Sequence, residues 1–169
     1  MTFIESHPRE ITENVIKLIG REWMLVTSGS KDSYNMMTAS WGGLGILWYK
    51  PVCFIFIRPS RYTFQFLEKN NHFSIGFFTS DYKDILNLCG SKSGREINKM
   101  KEVDLTPIED QNAVYFEESR MVLICKKLYM HDITNKNFLS AIREDIYKDN
   151  DFHRMYICEI LKCLVKEEV

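Results

Sequence analysis

Hydrophobic residues recur in short runs along most of the chain, and the spacing within each run predicts its secondary structure. Seven runs are rich in β-branched and aromatic residues, which favours strands. They are residues 23–29, 34–43, 52–58, 72–78, 113–116, 120–133 and 155–165. The run at 52–58 is apolar almost throughout, which is typical of a strand buried on both faces.

Other segments have helical spacing, with apolar residues three and four positions apart. They are residues 10–20, 63–70, 81–89 and 137–147. One face of the first predicted helix carries Ile11, Val15, Ile16 and Ile19. Gly20 and Gly90 are predicted to end the helices that they follow, because glycine favours the C-terminal cap. Residues 101–112 are polar and predict a surface loop.

Many short strands joined by brief helices predict a mainly β fold, a closed β-barrel with short helices. The connections are too short for repeated βαβ crossovers, so a doubly wound parallel sheet is not expected. A length of 169 residues predicts a single domain over residues 1–169.

Composition and charge narrow the function classes. The net charge of −1 argues against general nucleic-acid binding, which needs a basic surface. No apolar stretch approaches the ~20 residues of a membrane helix, and the N-terminus does not predict a signal peptide. Five cysteines without a C-x-x-C pair predict buried, reduced thiols in a cytoplasmic protein. The four histidines lack ligand spacing, so no metal site is predicted.

Residues 58–63 combine two guanidinium groups with hydroxyl groups at the predicted start of a helix. Arg58, Ser60, Arg61 and Thr63 lie within these six positions. A helix N-terminus favours an anion, and arginine adds forked hydrogen-bond donors. The segment therefore predicts a phosphate site, and the alternative is a capped helix start with two solvated arginines.

Residues 90–99 form a second basic segment, GSKSGREINK. Ser93 and Glu96 have the spacing of a capping box, which predicts a short helix from Gly94 with Arg95 and Lys99 on one face. Together with residues 58–63 the segment favours a phosphorylated ligand, although a polar loop between helices would look the same. The Gly-rich motifs of Rossmann and P-loop proteins do not occur in the chain.

Residues 35–43 interrupt a strand with small and polar side chains and continue into Trp41 and two glycines. Small residues expose backbone groups to a flat polar ligand, and Trp41 could cover its aromatic face. The alternative is a strand that leads to a Gly-Gly bend, with Trp41 in the core.

Five motifs in this order resemble those of one family. They are N-x-M-T-A-S-W-G-G-L-G from residue 35, W-Y-K-P-V from 48, R-P-S-R-Y-T from 58, G-S-K-S-G-R-x-x-x-K from 90 and H-R-M-Y-I-C-E-I from 153. The chain resembles the flavin reductase-like family, and within it the flavoredoxin branch of the FMN-binding split barrels. The resemblance covers residues 10–165. It implies a split barrel, a homodimer with FMN near the subunit interface, and reduction by NADH, NADPH or another electron donor.

The resemblance also implies which residues bind the cofactor. It implies that the strand along the flavin ring contributes Asn35, Thr38, Ala39, Ser40 and Trp41. For the phosphate and ribityl chain it implies Arg58, Ser60, Arg61, Tyr62 and Thr63, and for a second loop Ser93, Gly94, Arg95 and Lys99. His153 matches a histidine before the last strand, whereas Cys158 stands where the family usually has glycine. No catalytic side chain is predicted, because the flavin itself performs the redox chemistry.

Three functions follow from these observations. The leading hypothesis is an FMN-binding NAD(P)H:flavin reductase that transfers hydride to the flavin. The first alternative is a flavoredoxin-type electron carrier reduced by a protein partner. The second is a ligand-binding barrel without redox activity.

Overall fold

The computed structural model describes residues 2–141 and 145–167. Within these ranges the strands are β1 Phe3–Ser6, β2 Met24–Ser30, β3 Ser33–Ala39, β4 Gly42–Leu47, β5 Lys50–Ile57, β6 His72–Phe77, β7 Pro107–Asp110, β8 Ala113–Phe116, β9 Met121–Asp132 and β10 Arg154–Lys166. The α-helices are α1 Val15–Lys17, α2 Tyr62–Lys69, α3 Lys83–Ser91 and α4 Lys99–Glu102. None of the helices in this part of the chain is long and apolar enough to cross a membrane.

The prediction of a mainly β fold is confirmed. The main sheet is antiparallel. Its hydrogen-bonded order is β3-β2-β6-β9-β10-β5-β4, and β1 continues the edge of β10 beyond β5. The terminal strands β3 and β4 follow one another in the chain, yet the described pairings do not join them. The closed barrel expected from the pattern is therefore split between β3 and β4. A separate hairpin, β7–β8, packs beside it.

The interior of the barrel is apolar and includes four of the five cysteines. All five are free thiols and buried, which confirms the prediction of reduced cysteines. Cys158 lies opposite Cys53 in the β5–β10 pairing, and Cys53 Sγ lies 3.6 Å from Cys125 Sγ. Burial raises the pKa of Cys125 and of Cys158, so these thiols stay protonated as core side chains.

The predicted helix over 10–20 is wrong in its extent. Only one α-helical turn forms, and it continues into a π-helical turn over Leu18–Glu22. The wider turn changes which residues face the core, so that Leu18 is buried whereas Ile16 is 84% exposed. Gly20 lies inside the π-helical turn, which ends instead at Trp23 with a φ of 76°.

The helix α2 and the strands β6, β9 and β10 form within one or two residues of their predicted bounds. Gly90, however, lies inside α3 instead of ending it. A Cβ atom at Gly90 would lie 3.3 Å from the Cβ of Thr38, so glycine serves the close packing of α3 on β3.

Three further local predictions are corrected. Residues 94–97 form a single turn closed on the carbonyl of Ser93, and the helix α4 begins only at Lys99. The predicted loop 101–112 contains the end of α4 and all of β7. The predicted strand over 34–43 is two strands separated at residues 40–41. Part of the predicted helix at 137–147 falls on residues 142–144, outside the described residues.

The turn between β4 and β5 contains two aromatic residues, Trp48 and Tyr49. Both have left-handed backbones, with φ of 51° and 60°. Tyr49 is 96% exposed, and the Trp48 ring packs edge-on against Tyr129 of β9 at 6.3 Å.

Candidate functional site

A groove opens at the split of the barrel, where the end of β3, the start of α2, the end of α3 and the start of β10 meet. It contains two adjoining pockets of about 200 and 180 Å³. The first, the tryptophan pocket, is lined by Met37, Thr38, Ala39, Ser40, Trp41, Phe56, Arg58, Arg61, Gly90 and His153. The second, the lysine pocket, is lined by Asn35, Met37, Ser60, Arg61, Tyr62, Thr63, Ser91, Lys92, Ser93, Gly94, Glu96 and Lys99.

Trp41 stands at the break between β3 and β4 and forms one wall of the tryptophan pocket. It is 45% exposed, so the alternative that placed it in the core is wrong. Its ring centroid lies 5.0 Å from that of His153, with 48° between the ring planes. The two rings thus form an aromatic corner that can pack against a flat ligand.

His153 is the first residue before β10 and is only 8% exposed. Its Nδ1 atom lies 2.7 Å from the hydroxyl oxygen of Tyr147. Burial, and then the charge of Arg58, lower the pKa of His153 to about 4. The imidazole is therefore neutral near pH 7.

Lys99 is the dominant feature of the lysine pocket. It is 3% exposed, and Nζ donates to the carbonyl oxygens of Met36 at 3.0 Å and Cys89 at 2.7 Å. Burial lowers the pKa of Lys99 to about 8. No carboxylate forms an ion pair with it in the described part of the chain. A buried ammonium without a counterion favours an anionic ligand.

The N-terminus of α2 faces the same pocket. Arg61 is its N-cap residue, and no side chain caps the first turn. The Arg61 guanidinium lines both pockets and donates from Nη2 to the carbonyl oxygen of Gly90 at 2.7 Å. This bond fixes a positive charge between α2 and α3. Uncapped backbone N–H groups beside a fixed cation form an anion site.

Asn35 and Gly94 hold the walls of the lysine pocket together. The Asn35 amide donates from Nδ2 to Thr63 Oγ1 at 2.7 Å, which joins β3 to α2. A Cβ atom at Gly94 would lie 2.3 Å from Asn35 Oδ1 and 2.5 Å from Tyr62 Cδ1. Only glycine lets the turn at 94–97 approach this closely.

The structure brings fourteen of the fifteen predicted site residues to the two pockets, and the exception is Arg95. Arg95 donates from Nη1 to the carbonyl oxygen of Ser60 at 2.8 Å and lies over the Tyr62 ring. The predicted helix from Gly94 does not form, and Lys99 turns into the protein. Arg95 and Lys99 therefore do not lie on one helix face as predicted. Arg95 therefore holds the loop in place.

Arg58 and Ser60 line the groove, but their side chains form hydrogen bonds with a later segment of the chain. We call residues 145–153 the strap. Arg58 Nη2 donates to the carbonyl oxygen of Ile146 at 3.0 Å, and Ser60 Oγ donates to Asp151 Oδ2 at 2.5 Å. Both residues therefore anchor the strap beside the groove.

Sequence reasoning missed several residues of the groove. Ser91 and Lys92 lie inside the motif at 90–99 and could have been named from it. Met37 and Phe56 look like ordinary strand residues, and Tyr147 and Asp151 reach the site through contacts far apart in sequence. No local signal distinguishes these four.

A profile of the flavin reductase-like domain matches residues 17–169. The chain belongs to the flavin reductase-like domain family. Membership supports flavin binding and a redox function. No curated protein sequence matches the chain significantly.

Solved structures show the same fold. A flavoredoxin from Methanosarcina acetivorans superposes with a TM-score of 0.70 at 18% identity, covering 86% of this chain and 69% of that one. An FMN-binding protein from Thermus thermophilus gives 0.65 at 21% identity, covering 83% and 68%. An NADH:FAD oxidoreductase from Streptomyces globisporus gives 0.64 at 14% identity, covering 86% and 75%. The split-barrel fold is thus confirmed.

Proposed function

We propose that this chain binds FMN in the groove and acts as an NAD(P)H-dependent flavin oxidoreductase. The observation that carries the proposal is the pairing of the two pockets. One offers a buried ammonium and an uncapped helix N-terminus, and the other offers an aromatic corner. FMN has one flat ring system and one terminal phosphate, which matches this division.

The residues divide between the two ends of the cofactor. Lys99, Arg61 and the first N–H groups of α2 would hold the phosphate. Trp41 and His153 would pack against the ring system, and the backbone of 38–40 would face its polar edge. When bound, the flavin supplies the hydride chemistry, while the chain holds it and excludes water.

A terminal phosphate group distinguishes FMN from riboflavin and from FAD, whose phosphates continue into a nucleotide. The lysine pocket is bounded by α2, by residues 91–94 and by Lys99. We therefore propose FMN as the cofactor. The Streptomyces enzyme, which is named for FAD, makes this choice a point to test.

A second candidate function is an electron carrier that a protein partner reduces. The similarity to a flavoredoxin favours it. The deciding experiment mixes the FMN-loaded protein with NADH or NADPH in the absence of oxygen and follows the flavin absorbance. We expect bleaching with one of the two nucleotides. Bleaching by dithionite alone would favour the electron carrier, and failure to bind FMN would overturn both in favour of a barrel without redox activity.

We also propose a homodimer. Trp48 and Tyr129 are exposed and pack edge-on with 6.3 Å between their ring centroids, and Tyr49 beside Trp48 is almost fully exposed; we call these three residues the hairpin patch. Clustered exposed apolar residues of this kind mark association surfaces. In sedimentation experiments Tyr129→Lys should shift the protein to monomer. Ile16→Lys, at an exposed apolar residue outside the patch, is the matched control and should leave the dimer intact.

A further inference from the structure

The strap places one buried tyrosine against the histidine of the groove. Tyr147 is 5% exposed, and its ring packs at 4.9 Å from Phe152 and at 5.7 Å from Phe138. The Arg58 guanidinium carbon lies 5.2 Å from the centre of the same ring. The hydroxyl group is thereby held at 2.7 Å from His153 Nδ1. The cofactor proposal gives this contact no role.

The hydrogen atoms of the pair can be assigned from their partners. Burial raises the pKa of Tyr147, so the phenol keeps its proton. Its oxygen accepts a hydrogen bond from the backbone N–H of His153, so among the described residues Nδ1 is the acceptor left for its own hydrogen. A buried hydroxyl must donate to avoid the penalty of an unpaired donor, so Nδ1 accepts. A neutral imidazole that accepts at Nδ1 carries its own hydrogen on Nε2.

Burial keeps the imidazole neutral, and the surrounding charges contribute less. The charged groups that act on His153 are Arg58, which opposes a second positive charge, and Asp151, which favours it. Arg58 Nη1 lies 4.0 Å from Asp151, so the two charges partly offset one another. Burial then decides in favour of the neutral ring. The described residues give Nε2 no partner, and His153 lines the tryptophan pocket, so Nε2 is the ring nitrogen open to a ligand.

We propose that Tyr147 is a positioning residue that holds His153 as the Nε2–H tautomer, so that the tryptophan pocket presents a neutral hydrogen-bond donor to a carbonyl oxygen of its ligand. The tautomer assignment stands on the apo structure, whereas the identity of the ligand rests on the proposed function. Two carbonyl sources share this chemistry, the pyrimidine edge of the flavin and the carboxamide of a nicotinamide.

The tautomer is measured directly by nitrogen-15 NMR of the histidine rings in protein free of flavin, with His153→Gln used to assign the signals. We expect the Nε2-protonated pattern for His153 near neutral pH in the wild type. In Tyr147→Phe, which keeps the ring packing but removes the hydroxyl group, the signal should move toward a mixture of tautomers. Protonation at Nδ1 in the wild type, or no change in the variant, would overturn the proposal.

Binding and kinetics then identify the carbonyl. We expect Tyr147→Phe to weaken either FMN binding or the reduction by NAD(P)H by roughly three- to tenfold. A loss in FMN affinity indicates the flavin carbonyl, and a loss in the reduction step indicates the nicotinamide carboxamide. Tyr115→Phe, at a buried tyrosine outside both pockets, is the control and should change neither.

A double-mutant cycle separates positioning from general structural support. Glutamine at position 153 keeps an N–H donor that needs no tautomer, so Tyr147→Phe should have little effect in the His153→Gln background. An equal effect in both backgrounds would show that Tyr147 only supports the fold and would overturn the proposal. If the protein binds no FMN, the cofactor proposal fails, while the NMR result still decides the tautomer.

Discussion

The side-chain amide of Asn35 donates a hydrogen bond to Oγ1 of Thr63 across 2.7 Å, and both side chains are buried. Since that oxygen accepts from Asn35, its own hydrogen can be donated into the lysine pocket. Thr63→Val should therefore weaken FMN by about 1.5–3 kcal/mol, as expected for a hydrogen bond to a charged group. Riboflavin, which lacks the phosphate, should bind as before. Fluorescence titrations with both ligands test this, and an equal loss for the two would contradict it.

Arg61 should contribute to phosphate binding, because its guanidinium is held between the two pockets by the carbonyl oxygen of Gly90. Arg61→Ala should weaken FMN by about 1.5–3 kcal/mol and barely change riboflavin. Lys69→Ala is the matched control, since Lys69 is an exposed cation at the other end of α2 and lines neither pocket. Comparable losses of FMN affinity in both variants would show that the effect is general electrostatics.

The affinity for FMN should depend on the protonation of Lys99. Its pKa is lowered to about 8 by burial, and a bound phosphate dianion favours the ammonium form and raises that pKa in the complex. Above pH 8 the complex therefore binds a proton that the free protein has lost, and FMN affinity should fall as pH rises, by at most about tenfold per pH unit. Titrations below and above pH 8 measure the slope.

Lys99→Arg is the control for this pH dependence, because arginine remains charged throughout the range. The variant should lose the decline in FMN affinity. Riboflavin should show no such decline with the wild-type protein. A slope that persists in Lys99→Arg would assign the titration to another group.

Gly94 should tolerate no side chain. A Cβ atom there would collide with Asn35 and Tyr62, so Gly94→Ala should displace the wall of the lysine pocket and weaken FMN by about 1–3 kcal/mol. Gly20→Ala provides the matched comparison, because nothing outside its chain neighbours and its own helical backbone lies within 4 Å of a Cβ placed there. That variant should keep its FMN affinity and melt at the same or a higher temperature. Calorimetry gives the melting temperatures of the two variants and titration gives their FMN affinities; equal FMN affinities would contradict the prediction.

Trp41 should report on the cofactor directly. FMN binding should quench its fluorescence, and Trp41→Ala should lower FMN affinity by about 0.5–1.5 kcal/mol beyond the lost contact area. Because the side chain is 45% exposed, the apo-protein should lose less than the ~3–5 kcal/mol typical of a fully buried tryptophan. A large drop in apo stability with unchanged FMN affinity would refute a role in the site.

Local patterns were sufficient for β6, β9, β10 and α2, because alternating or continuous apolar runs depend on nearby residues alone. They failed where the local structure depends on a contact with a residue far away in the sequence. Gly90 lies inside α3, where its missing Cβ leaves room for Thr38, and Lys99 turns inward to the carbonyl oxygens of Met36 and Cys89. Arg58 looked like a phosphate ligand, but its strap partner Ile146 lies 88 positions away. The motifs named residues that the fold brings together around one groove, and only the fold shows which of their side chains contact other parts of the chain.

The turn between β4 and β5 places two aromatic residues, Trp48 and Tyr49, in left-handed conformations. A two-residue hairpin turn with two left-handed residues is most stable with Asn-Gly, and a left-handed conformation disfavours other residues by about 1–2 kcal/mol each. Asn-Gly at these positions should therefore raise the melting temperature of an isolated subunit. In the proposed dimer these two aromatic residues would therefore lower the stability of the single subunit and add contact area at the interface between subunits.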